Sequence, residues 1–204
     1  MKVLKVAVTG GAGVGKTVVC DCFRRLGAYV IGFDALAREA VKRDSPVLEA
    51  IAEHFGKDIL RADGSLDRRK LRGIITRDDR ARKVLENLTH PEIFRLFEQK
   101  VATIESRDED AVLVVEIPLL IELGIQGRFD LVVLVEARSE LQKSRLMARD
   151  GSSSGEAQAL LGLQMAGEEK RPYADYIVKN QGQLEETEAA VKKIYRKIIT
   201  SLRI

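Results

Sequence analysis

The stretch Gly10-Gly11-Ala12-Gly13-Val14-Gly15-Lys16-Thr17, entered from the apolar run Val3-Leu4-Lys5-Val6-Ala7-Val8-Thr9, constrains this chain more than any other. Glycine, four residues, then Gly-Lys-Ser/Thr is the pattern of a loop that wraps a nucleotide triphosphate with its own N–H groups. The glycines let the backbone come close and take positive φ, where a Cβ would clash. A helix opening directly after the loop aims its orphan amides at the anion. In this pattern Gly11, Ala12, Gly13, Val14 and Gly15 cradle the phosphates of ATP. Lys16 places a compact charge on the β and γ phosphates, and the Thr17 hydroxyl ligates Mg²⁺. A plain glycine-rich turn from strand to helix is the competing reading. Against it, Val18, Cys22, Phe23 and Leu26 make an apolar stripe at helical spacing directly after the loop.

Five Val- and Ile-rich runs, at 3–9, 29–33, 111–117, 130–136 and 176–179, read as buried parallel strands. Helical patterns separate them, so the expected class is α/β with a five-stranded parallel sheet. A length of 204 residues suits one well-buried domain with room for an inserted lobe. Net charge is only +3 with acids and bases interleaved, which gives little support to nucleic-acid binding. No apolar stretch approaches the length needed to cross a bilayer, and the N-terminus shows no secretory signal, so the expected location is cytoplasmic. Cys20 and Cys22 stand two apart on the first predicted helix and face different ways. Cys22 reads as core filler and Cys20 as a partly covered thiol, a usage that suits a reducing compartment.

Ligands in parallel sheets bind beyond the carboxyl ends of the strands, so the residues just past each strand matter. Asp34 follows the second strand and opens a helical stretch, with Arg38 one turn further on the same face. Asp34 reads equally as an N-cap and as a catalytic carboxylate. From 45 to 107 the pattern is wholly helical, broken by the turn Ala62-Asp63-Gly64-Ser65. The arginines and lysines between 61 and 83 read either as a solvated face or as a fork-like site for an anionic substrate. Thr89-His90-Pro91-Glu92 has the form of a helix start with a capping box, which would put His90 where the helix dipole favours its neutral form. His90 is then either a capping neighbour or an orienting contact at the site. Glu116 ends the third strand beside the phosphate loop, the usual place for a carboxylate that organises a Mg²⁺ shell. Arg145 and Arg149 share a face of a helix over 140–150, followed by the flexible composition Gly151-Ser152-Ser153-Ser154-Gly155. That arrangement suits a lid that closes over phosphates. Asn180-Gln181-Gly182 reads as a simple turn or as a bracket for the purine base. Val191, Ile194, Tyr195, Ile198 and Leu202 keep the spacing of a closing helix.

Taken in order, the phosphate loop, Asp34-x-x-Ala37-Arg38, Asp63-Gly64 with Leu66-Asp67-Arg68, His90-Pro91, Pro118-Leu119-Leu120-x-Glu122, Arg145 with Arg149-Asp150, Gln164, and Asn180-x-Gly182 resemble the dephospho-coenzyme A kinase family over nearly the whole chain. The resemblance implies transfer of the ATP γ-phosphoryl group to the ribose 3′-hydroxyl of dephospho-coenzyme A. It also implies a three-layer P-loop kinase fold in a single domain over 1–204, as a monomer or small homo-oligomer. The core would cover about 1–44 and 108–204, a helical substrate-binding lobe about 45–107, and a lid about 145–172. Lys16, Asp34 and Arg145 become the implied catalytic residues, with Asp34 receiving the hydroxyl proton. Asn180 joins the loop in nucleotide binding, Asp34, Arg38 and His90 in acceptor binding, and Thr17 and Glu116 in holding Mg²⁺. The chain departs from the family at Gly32, where many relatives carry an acid, so metal holding there would pass to Glu116 or water. It also departs in a lid poor in basic residues after Arg149, with Lys170 and Arg171 next in line.

Overall fold

A computed structural model describes residues 3–202. Among them, five parallel strands form one sheet in the order β2-β3-β1-β4-β5. The strands are β1 (Leu4–Thr9), β2 (Tyr29–Gly32), β3 (Val112–Glu116), β4 (Leu131–Glu136) and β5 (Tyr176–Lys179). β1 is central and pairs with β3 on one side and β4 on the other, with Val8 opposite both Glu116 and Val133. Central parallel strands are covered on both faces, which is why Val6, Ala7 and Val8 are all fully buried and the run is apolar without alternation.

The chain divides into two compact units, Met1–Gly32 with Ile104–Ile204, and Phe33–Thr103. The first holds the sheet together with α1 (Lys16–Arg25), α6 (Ser139–Asp150), α7 (Ser154–Gly162), α8 (Gly167–Lys170) and α9 (Leu184–Leu202). Val19, Cys22 and Phe23 of α1 pack with Val191, Ile194, Tyr195 and Ile198 of α9, and the Phe23 and Tyr195 rings meet edge to face at 6.1 Å. The expected stripe on α1 is thereby corrected: Val18 is exposed, and the neighbouring Val19 and Cys20 turn inward instead. Cys20 is fully buried rather than partly covered, and burial, with Glu116 next, pushes its thiol pKa far above the usual range. The side chain of Leu202 lies outside the described residues. The glycine-serine stretch after α6 is ordered by two local devices. Gly151 ends α6 at φ 62, and Ser153 opens α7 with a reciprocal capping box to Glu156.

The second unit contains α2 (Phe33–Ala40), α3 (Pro46–Phe55), α4 (Arg68–Ile75) and nearly all of α5 (Asp79–Glu105). Its core includes Leu48, Ile51, Ile59, Leu66 and Leu71. Ser45 caps α3 by accepting the Leu48 N–H while its own hydroxyl donates to the Ala40 carbonyl. Phe33, expected to end the second strand, begins α2 instead, because its ring is buried against Phe94 and Phe97 at 5.7 and 6.0 Å. The 62–65 turn closes a small antiparallel bridge between Leu60 and Leu66, so this unit is not wholly helical.

The expected helix start at Thr89-His90-Pro91-Glu92 is also corrected, since α5 runs straight through it with Pro91 inside. Asp78 supplies the cap instead, accepting from the N–H groups of Arg80 and Ala81. The Thr89 hydroxyl donates back to the Leu85 carbonyl, and Glu92 forks onto Arg95 rather than turning to a cap. His90 therefore sits in mid-helix, away from the end where a dipole would act on it.

Candidate active site

The loop between β1 and α1 is shaped by what lies behind it. Gly13 has φ 73, and a Cβ there would run into the Gln142 carbonyl oxygen of α6. Gly15 has φ 86 and is the cap position of α1, where a Cβ would collide with the Asn180 amide nitrogen. No side chain caps α1 and no acid stands in its first turn. Such a helix start is suited to an anion, as the sequence pattern requires. Lys16 is buried, with Nζ donating to the carbonyls of Gly10 at 3.0 Å and Gly11 at 2.9 Å.

Three side chains from distant parts of the chain converge on this loop. Asn180 Nδ2 donates to the Val14 carbonyl at 2.9 Å, and its Oδ1 accepts the Thr187 hydroxyl at 3.1 Å. Arg145 Nη1 donates to the Gly13 and Val14 carbonyls at 3.3 and 3.2 Å. Glu116, the last residue of β3, accepts the Thr17 hydroxyl at 3.2 Å on Oε1 and 3.4 Å on Oε2. So the structure gathers Gly11, Ala12, Gly13, Val14, Gly15, Lys16, Thr17, Glu116, Arg145 and Asn180 at one end of the sheet. Asn180 here braces the loop through Val14. Its partner Thr187, fully buried on α9, was missed by sequence reasoning. A hydroxyl on the first turns of a helix otherwise packed by apolar residues is the faint signal it left. A pocket of about 460 Å³ lies beside the loop, lined by residues that include Gly11, Ala12, Glu136, Gln142 and Arg171.

The later basic residues are each paired with a carboxylate. Arg149 forks onto Asp150 at 2.7 and 2.8 Å, Arg171 onto Glu136, and Lys170 pairs with Glu122.

Among the described residues no cluster of three or more His, Cys, Asp or Glu could hold a metal by itself. The Thr17 hydroxyl and Glu116 carboxylate are nonetheless a hard oxygen pair within hydrogen-bond distance of each other. That pair fits Mg²⁺, which keeps several waters and takes one or two carboxylates along with substrate phosphates.

In the helical unit, Asp34 is the second residue of α2, inside the helix rather than at the cap position, and Arg38 lies one turn on. The Arg68 guanidinium has its pKa held down by partial burial and by the neighbouring Arg38 and Arg61. Arg38 and Arg61 thus lie near enough to Arg68 to act on its charge, and Arg61 acts as well on the carboxylates of Asp63 and Asp67. His90 on α5 meets the Phe94 ring at 6.2 Å. Asp34, Arg38 and His90 all belong to this unit, and the loop residues to the other.

Comparison with known proteins decides between the kinase readings. The sequence model described as dephospho-CoA kinase matches residues 4–186. The chain belongs to the dephospho-CoA kinase family. A relative of that name from Geobacter metallireducens is 41% identical over 196 residues, covering 96% of this chain and 97% of its own. A crystal structure from Thermus thermophilus superposes with a TM-score of 0.83 at 34% identity, covering 97% of this chain and 98% of that one. A dephospho-CoA kinase structure from Campylobacter jejuni gives 0.70 at 30% identity, with the same coverage. The expected three-layer P-loop kinase fold is thereby established. Among the described residues no helix is long and apolar enough to cross a membrane.

Proposed function

We propose that this chain transfers the γ-phosphoryl group of ATP to the 3′-hydroxyl of the dephospho-CoA ribose, giving CoA and ADP. The observation that carries the reading is the phosphate loop itself, braced from behind and leading into a helix start that no side chain caps, in a chain of this family. Phosphoryl transfer passes through a loose transition state with charge spread over the equatorial oxygens, so catalysis is mostly positioning and electrostatics. The loop amides and Lys16 bind the β and γ phosphates, and Arg145 adds positive charge beside the loop. Thr17 and Glu116 would hold Mg²⁺, which would offset charge on the phosphate oxygens. Asp34 orients the acceptor hydroxyl and takes its proton as the new P–O bond forms and the bond to ADP breaks.

On the helical unit, the cluster of Arg38, Arg61 and Arg68 is chemically suited to the acceptor's phosphates, since guanidinium forks match phosphate oxygens. His90 serves the acceptor from α5. We assign the substrate-binding role to this unit and the lid role to residues 145–172. We further assign a single 1–204 kinase domain, acting in the cytoplasm as a monomer or small homo-oligomer. The two buried free thiols suit that compartment.

A kinase for another small acceptor, such as a nucleoside monophosphate, is the alternative that the loop alone would leave standing. A nucleotide-gated binding module is disfavoured by the sequence, which has neither an Asp-x-x-Gly switch nor an Asn-Lys-x-Asp guanine-reading segment. The test is ADP formation from ATP and Mg²⁺ with dephospho-CoA, set beside a panel of nucleoside monophosphates. Strong stimulation by dephospho-CoA alone supports the proposal; preference for a monophosphate overturns it.

A further inference from the structure

Lys170, the last residue of α8, is 1% exposed, whereas lysines are almost never fully buried unless paired. The phosphoryl transfer described above makes no use of it. Its Nζ lies 2.7 Å from Glu122 Oε1 and donates to the Pro118 carbonyl at 3.3 Å. The same Pro118 carbonyl accepts the hydroxyl of Thr9 at 3.3 Å, and Thr9 is the buried last residue of β1, directly before the phosphate loop. The same Glu122 oxygen accepts the Met165 N–H at 3.3 Å. One ammonium therefore ties together three pieces of chain: the segment returning from α7, the turn two residues past Glu116, and the residue that launches the loop.

The next residue extends the pattern. Arg171 grips Glu136, the end of β4, through a fork at 2.7 and 3.1 Å. Since β3 and β4 are the two neighbours of β1, consecutive basic residues fasten the returning segment beyond the strands on either side of the one that carries the loop. An ion pair that buries its lysine is a poor device for stability alone, because desolvating the ammonium offsets much of what its attraction to a partly exposed Glu122 returns. What Lys170 supplies that a well-packed apolar side chain would not is a donor to Pro118.

We propose that Lys170 is a positioning residue for phosphoryl transfer, setting the register of the phosphate loop against Glu116 through the chain Lys170–Pro118–Thr9. The inference rests on the kinase reading above. It predicts that losing the ammonium misplaces reacting groups without emptying the nucleotide site, and a displacement of order 1 Å at such a site is worth roughly 100-fold.

The test compares Lys170→Met with the double variant Lys170→Met/Glu122→Gln, which also removes the carboxylate that the single variant leaves without its ammonium. The double variant is expected to regain the melting temperature lost by the single one. Its kcat with dephospho-CoA is expected to stay roughly 10- to 100-fold low while KM for ATP moves by less than about threefold. Amide hydrogen exchange across 9–17 is expected to rise in the same variant. Thr9→Val cuts the chain at its other end without touching a charge and is predicted to show the same split between kcat and KM. A double variant that regains both stability and turnover, or a Thr9→Val protein with normal kcat and unchanged exchange at 9–17, overturns the inference. A wild-type protein inactive on dephospho-CoA would instead sink the kinase reading, leaving the exchange comparison to decide the role of Lys170.

Discussion

The phosphate loop and the arginine cluster of the helical unit are both suited to phosphate, but they are made in different ways. The loop is a property of the backbone: positive-φ glycines, a start of α1 with no side-chain cap, and carbonyls held by Asn180 and Arg145. The cluster of Arg38, Arg61 and Arg68 is a property of side chains: burial first, and then the like charges of Arg38 and Arg61, hold the Arg68 pKa down. A backbone site is fixed before its ligand arrives and costs little reorganisation at the moment of reaction. A side-chain site of like charges is improved by its ligand, because an anion relieves the repulsion. The first suits the group that every turnover shares, and the second suits recognition of one particular acceptor.

Substitutions can break this contrast, and the largest effect is expected at the residue given the chemistry itself. Asp34→Asn should lower kcat by roughly 10²–10⁴ with little change in ATP affinity, read by steady-state kinetics beside equilibrium ATP binding. Near-normal turnover there would remove Asp34 from the mechanism. Gly15→Ala tests the backbone half: the new Cβ meets Asn180 in a left-handed conformation, so ATP affinity by titration calorimetry should fall roughly 10- to 100-fold, at a strain of about 1–3 kcal/mol. Retained affinity would mean that the loop tolerates what its geometry forbids. Arg68→Ala tests the side-chain half and should raise KM for dephospho-CoA about 10-fold while leaving KM for ATP alone, in line with one lost hydrogen bond to a charged group. An equal rise in both constants would erase the distinction between the two regions. Smallest is Ser45→Ala, which removes the cap of α3 and should cost about 1 kcal/mol in denaturant unfolding with the kinetic constants unchanged.

The two regions also differed in how far the sequence revealed them. The loop was legible because its requirements are local: fixed spacing, glycines, and a strand before and helix after. The strands were legible for the same reason, since a buried parallel strand needs an unbroken apolar run. The braces behind the loop were not, because Asn180 and Val14 lie 166 positions apart and only the folded sheet brings them together. Lys170 looked like a spare lid cation in sequence, and only its burial beside Glu122 removed it from that list. Two misreadings share a cause. Thr89-His90-Pro91-Glu92 satisfies a capping pattern, but Asp78 starts the helix eleven residues earlier and the Thr89 hydroxyl turns back onto it. Phe33 satisfies a strand pattern, but burial of its ring against Phe94 and Phe97 turns it into a helix start. Local rules were outvoted where tertiary packing offered a better partner.

The most direct measurement is the identity of the product. Purified protein incubated with ATP, Mg²⁺ and dephospho-CoA should yield one ADP for each acceptor consumed, and phosphorus–proton correlation spectra should place the new phosphate on the ribose 3′-oxygen. ADP appearing with the acceptor unchanged, or the phosphate landing on any other hydroxyl, would contradict the account.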